Sequence, residues 1–249
     1  MHLRRPRASF LAPAAALAVA VAGLVLAGQL ARPSVTQVSG AVVDQPVPSL
    51  ALADQYGNAR PLPSFAGRVV VLAPFLAQCS GSCPLTTGAF FTMERDVTAA
   101  GLGGRVAFVQ VTVDPERDTP ARLRAFARRT GADWTLLTGA PGDIAALWQF
   151  FGVYSERGPA PSPAAIDWQT GQAVTYAVTH TDALFFIGSH GHVRALIVGG
   201  PTVGATLPPA LAGLLDADGR QELAHPQGGW TVRQALDDLG LLLGHQIAG

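Results

Sequence analysis

Lysine is absent from this chain, and all 17 basic residues are arginine. That excludes Schiff-base catalysis and the lysine-dependent phosphate chemistry of P-loop proteins. Cysteine occurs only twice, at Cys79 and Cys83. Charge is scarce, with 14% charged residues against 49% hydrophobic ones. Such a balance supplies a sizeable core and argues against disorder. The charge is also unevenly spread. Arg4, Arg5, Arg7 and Arg32 flank the first apolar run, so 13 arginines face all 17 acidic residues over the rest of the chain. A mildly acidic remainder, at about −4, offers no footprint for nucleic acid.

One run near the start, Ala8 to Ala31, has 24 largely apolar positions and no charge. It is long enough to span a bilayer as a helix. The three arginines before it predict a cytoplasmic N-terminus with the rest of the chain outside. A cleaved signal peptide is the rival reading. Its apolar region would normally be shorter, although Val25-Leu26-Ala27 is a tolerable cleavage site. Arg4-Arg5 raises a twin-arginine signal that the flanking residues support poorly. Under either reading the remaining chain works outside the cytoplasm, where a disulfide can persist. The expected division is a cytoplasmic tip and membrane anchor over 1–32, a linker over 33–48, a main domain over 49–200 and a C-terminal helical extension over 201–249.

Arg32 to Pro48 reads as a tether. Leu50 to Leu62 suggests a short hairpin around Gly57-Asn58. The β-branched run Val69 to Leu76 predicts a buried strand, and Val106 to Val113 a second. Between them Leu85 to Ala99 predicts a helix, with Pro84 suited to its first turn. Thr119-Pro120 reads as an N-cap and first helical residue, opening a helix over Ala121 to Arg129. Pro141 to Phe151 predicts another helix, stopped by Gly152. Ser155 to Pro163 reads as a Pro-rich loop. Ala183 to Ile187 and Val193 to Val198 read as strands joined by the turn Gly188-Ser189-His190-Gly191. This order predicts an α/β sandwich of thioredoxin-like arrangement.

In the extension, Pro208-Pro209 opens a short helix through Leu215. Thr231 and Gln234 form a capping box with Trp230 as hydrophobic staple. From there to Leu243 the residues Val232, Ala235, Leu236, Leu239, Leu242 and Leu243 share one helix face. That face is expected to dock on the main core, with partner binding as the alternative.

The chemistry concentrates in Cys79-Ser80-Gly81-Ser82-Cys83-Pro84, between a predicted strand and a predicted helix. Two thiols at such a turn can close a disulfide or bind a soft metal. Cys83 sits at the start of a helix, where unpaired N–H groups and the dipole favour a thiolate. Ser80-Gly81-Ser82 is small and gives Cys79 the freedom to reach Cys83. A permanent stapling disulfide is the bland reading, but it would close a tiny loop and stabilise little.

This loop resembles that of the Sco (SenC) family of copper-binding proteins, which serve cytochrome c oxidase assembly. The family pattern is a strand, Cys-Pro-x-x-Cys-Pro, then a helix. Cys79, Cys83 and Pro84 match it, and Ser80 replaces the usual first proline. Val113-Asp114-Pro115-Glu116-Arg117-Asp118-Thr119-Pro120 resembles a second family motif and Phe151-Gly152-Val153-Tyr154 a third. His180, in Val178-Thr179-His180-Thr181-Asp182, occupies the place of the family's metal-binding histidine. The resemblance covers roughly residues 41 to 200. It implies a copper-binding thioredoxin-like domain with Cys79, Cys83 and His180 holding one copper ion per chain. Two thiolates and one imidazole form a soft, low-coordinate set suited to Cu(I) and acceptable for Cu(II). A structural zinc site would want four ligands, and there is no third cysteine. The resemblance also implies that Asp114 supports the metal site or partner docking. Turn formation and helix capping explain Asp114 and Asp118 equally well. His190 and His192 flank a hairpin tip and read as solvated turn residues, with a weak accessory copper site as the alternative. His225 and His245 carry no signal.

The function this implies is a membrane-anchored, extracytoplasmic copper chaperone. Its expected acceptor is a cuproprotein, first of all cytochrome c oxidase subunit II with its dinuclear copper site. The alternative is a thiol-disulfide reductase, with Cys79 and Cys83 as a redox pair that keeps the partner's copper-site cysteines reduced. A peroxidase of the peroxiredoxin type wants Pro-x-x-x-Thr/Ser-x-x-Cys. Leu72 and Leu76 break that pattern before Cys79, and Leu76 breaks it before Cys83.

Overall fold

The computed structural model describes residues 41–203, 207–226 and 228–248. Continuous apolar runs form its centre. β3 (Val69–Phe75) and β4 (Val106–Thr112) are buried at every position. Strands covered on both faces read this way because no side of them meets water. In chain order, β1 (Ala41–Pro46) and β2 (Leu52–Asp54) precede β3, and α1 (Ser82–Ala99) joins β3 to β4. Next come α2 (Pro120–Thr130), β5 (Thr135–Gly139), α3 (Pro141–Phe151), β6 (Ser155–Gly158) and β7 (Ala177–His180). β8 (Ala183–Ile187) and β9 (His192–Val198) form the predicted hairpin. The extension holds β10 (Pro201–Thr202), α4 (Pro209–Ala212), α5 (Ala217–Ala224), β11 (Trp230–Thr231) and α6 (Val232–Leu243).

Seven strands form one mixed sheet in the order β1-β9-β8-β3-β4-β5-β2. β3, β4 and β5 are parallel, and the remaining pairs are antiparallel. The parallel strands are linked by helical crossovers, so the loops after β3 and β4 emerge at the same sheet end. That brings the cysteine loop beside the segment Val113 to Thr119. The α/β thioredoxin-like arrangement expected from the sequence is the one observed.

Several elements depart from expectation. β5 lies where the sequence predicts no strand: its five residues are too short a run to announce one, and pairing with both β4 and β2 makes them one. β1 falls inside the stretch read as a tether and pairs with β9 as the sheet edge. Leu50 to Leu62 is not a full hairpin. β2 pairs with β5, and only an isolated bridge, Ala53 to Ala59, closes the Gly57-Asn58 turn. Ser155 to Gly158 is a strand rather than loop and pairs with β7 in a separate two-stranded sheet. The helix opened at Pro208-Pro209 ends at Ala212, and α5 follows it unforeseen.

Three helix ends are capped as the sequence predicts. Thr119 accepts the Arg122 amide at the start of α2, and Thr231 accepts the Gln234 amide at the start of α6. Gly152 closes α3 in the left-handed region. Among the described residues no helix is long and apolar enough to cross a membrane. The run Ala8 to Ala31 lies outside them.

Candidate metal centre

Cys79 follows β3 on a loop, and Cys83 is the second residue of α1. The strand delivers the first thiol and the helix start fixes the second. The Cys83 amide donates to Cys79 Sγ at 3.4 Å, one of the orphan N–H groups of a helix N-terminus. Both cysteines are free thiols, Cys83 buried and Cys79 half-buried, so no stapling disulfide is formed. His180 ends β7, 97 residues beyond Cys83, and its Nε2 lies 3.3 Å from Cys83 Sγ. The three donor atoms lie within 4.8 Å of one another.

The histidine's tautomer follows from its other nitrogen. Nδ1 lies 3.1 Å from the Thr181 carbonyl oxygen, which can only accept. Nδ1 therefore carries a proton, and in the neutral imidazole Nε2 turns its lone pair toward the thiols. Metal–donor bonds of about 2.0–2.3 Å place donors on one ion roughly 3.5–4.5 Å apart. Small side-chain movements would close this set around a metal.

The thiols are electrostatically unequal. The hydrogen bond from Cys83 outweighs burial and holds Cys79 down to about 5, with His180 assisting. Burial, then the neighbouring Cys79 and Asp182, push Cys83 well above the usual thiol range. Burial works against a charged His180, but Cys79 and Asp182 outweigh it and raise the imidazole. One thiolate beside a retained thiol is thus the resting state that the geometry favours.

Asp118 and Asp114 do not join the donor set. Asp118 is fully buried and accepts the Ala77 amide at 3.0 Å and the Thr112 hydroxyl at 2.7 Å. Asp114 accepts the Tyr176 hydroxyl at 2.8 Å and pairs with Arg117. Arg117 and Arg157 lie over the Tyr176 ring at 3.9 and 4.4 Å from its centroid. A cleft of about 280 Å³ opens here, lined by Cys79, Ser82, Arg117, Tyr176 and His180 among others. His190 and His192 lie at the β8–β9 turn, where His192 Nδ1 is 3.0 Å from Asp44. Neither belongs to a three-donor group among the described residues.

Sequence reasoning missed the residues that brace the loop. Arg122 bonds Gln78 at 2.9 Å and Asp167 at 2.7 Å, and Trp168 donates to the Ala77 carbonyl at 2.6 Å. Ser82 donates to Asp182 at 3.0 Å. These partners are 44 to 100 residues apart in the chain, and no local pattern announces them.

The SCO1/SenC family model matches residues 44–206. The chain belongs to the SCO1/SenC family. A Stutzerimonas stutzeri protein whose name proposes copper binding is 25% identical over 184 residues, covering 70% of this chain and 84% of its own length. Two solved members show the same fold. Arabidopsis thaliana ScoI with copper bound is 18% identical, with a TM-score of 0.52 over 64% of this chain and 88% of that one. Apo Sco1 from Thermus thermophilus is 24% identical, with a TM-score of 0.51 over 66% and 88%. The family match ends at residue 206, so α4, α5, β11 and α6 of this SCO1/SenC protein lie beyond it.

Proposed function

We propose that this SCO1/SenC protein is a copper chaperone working outside the cytoplasm, anchored to the membrane by residues 8–31. Its acceptor is a cuproprotein, with the dinuclear copper site of cytochrome c oxidase subunit II as the first candidate. The observation that carries the reading is the convergence of Cys79, Cys83 and His180 within 4.8 Å. Two sulfurs and one imidazole suit copper, and a four-ligand structural zinc site lacks a donor. Cys79 and His180 border an open cleft, so a partner's thiolate can reach them. Cargo then moves by exchange of ligands, and no catalytic base is required.

Copper loading of the reduced full-length protein tests this. One copper per chain is expected, with thiolate-to-copper bands that change in His180→Ala. Cys83→Ser is expected to retain copper at least about tenfold less well. Unaltered retention in Cys83→Ser would overturn the reading. The reductase alternative needs both thiols but not His180. Thiol-disulfide activity that survives His180→Ala, with no copper bound by the wild type, would favour it instead.

A further inference from the structure

The extension beyond the family match reaches back to the cysteine loop. Asp216, the N-cap of α5, makes three bonds, two of them to that loop and one that caps its own helix. Its Oδ1 accepts the Gly219 amide at 2.8 Å, its Oδ2 accepts the Ser80 hydroxyl at 2.6 Å, and its own amide donates to the Ser80 carbonyl at 3.0 Å. The contact is close-fitting. A Cβ on Gly219 would sit 2.4 Å from the Ser80 carbonyl oxygen and 3.2 Å from Gly81 Cα. Behind it, Leu207, Leu211 and Leu215 pack with Leu85 of α1 in a small apolar cluster of their own. The extension therefore grips both the loop between the two thiols and the helix that carries Cys83.

We infer that Asp216 is a positioning residue: through Ser80 it latches the Cys79–Cys83 loop in its metal-ready shape. Ser80 stands where the family pattern has proline. A proline there has no hydroxyl to offer Asp216, whereas serine ties the loop to a segment that lies outside the family match. The other serine of the loop is held as well, by Asp182. Both flanks of Gly81 are thus fixed by carboxylates from other elements, and the loop's freedom is removed before any ligand arrives. The role in metal handling rests on the copper reading above; the latch itself does not.

The test is a double-mutant cycle on the full-length protein with Ser80→Ala, Asp216→Ala and the double variant. The readout is the rate of thiol alkylation by iodoacetamide in the reduced, metal-free protein at fixed pH. Ser80→Ala is expected to raise the rate about fivefold, the weight of one charge-assisted hydrogen bond at a part-exposed site, and Asp216→Ala, which also loses the Gly219 cap, at least as much. The double variant is expected to match Asp216→Ala, because Asp216→Ala already removes the bond that Ser80→Ala removes, together with the Gly219 cap. Asp216→Asn, which keeps the cap and a side-chain partner for Ser80, is expected to restore most of the wild-type rate. Unchanged rates, or single effects that multiply in the double variant, would overturn the latch. In Cu(I)-loaded protein the same variants are expected to yield copper to a chelator faster. Failure of the wild type to bind Cu(I) would overturn the copper reading alone and leave the alkylation cycle to decide the latch.

Discussion

A fully buried carboxylate, Asp118, holds the Ala77 amide two residues before Cys79. Burial pushes its pKa up to about 6, although Thr112 and Ala77 donate to it and Arg122 lies 3.4 Å away. The folded state therefore binds this proton more tightly than the unfolded chain. Its contribution to stability is present below the ordinary carboxylate value near 3.8 and is lost as pH rises through about 6. Asp118→Asn removes that titration while keeping an acceptor for the Ala77 amide. Between pH 4 and pH 7 the wild type is expected to lose stability relative to Asp118→Asn, on the order of 3 kcal/mol at most. Urea unfolding of both proteins across that range measures it. A constant difference between them would show that Asp118 does not carry the charge change.

At the scale of elements, what the sequence reveals depends on how local the cause is. The thiols of Cys79 and Cys83 were legible because a strand, a short loop and a helix follow one another directly. The caps at Thr119 and Thr231 were legible because donor and acceptor lie three residues apart. β5 and β7 were not, because each is made by strand partners distant in sequence, and α5 was not, because its short polar sequence shows no apolar stripe even though its Asp216 cap is local. β11 shows the cost of such a dependence. It pairs with β10, and Gly229 before it has a φ of 97°, with Gly200 so close that an added Cβ would lie 1.9 Å from its carbonyl oxygen. L-residues rarely adopt that conformation. Gly229→Ala is expected to lower stability by more than about 2 kcal/mol and to free the Trp230 indole from the Gly199 carbonyl it donates to at 3.0 Å. Denaturant unfolding followed by tryptophan fluorescence reads both effects.

For the whole molecule, the question is whether the extension is an appendage or part of the core. Trp230, Ala235, Leu236, Leu239, Leu243 and Ile247 belong to the same apolar cluster as β3, β4 and β8. Trp230 is 1% exposed, and Ala235, Leu236 and Leu239 are fully buried. Each large side chain of this kind contributes about 1.5–3 kcal/mol when buried, and a domain's net stability is only about 5–15 kcal/mol. Removing them would also uncover the core side chains they cover. A chain ending at residue 203, which retains nearly all of the family match, is therefore expected to lose cooperative unfolding and to bind a hydrophobic dye such as ANS. Cooperative unfolding of that truncated chain, within about 2 kcal/mol of the full-length protein, would show instead that the SCO1/SenC core stands alone and that the extension serves only the cysteine loop.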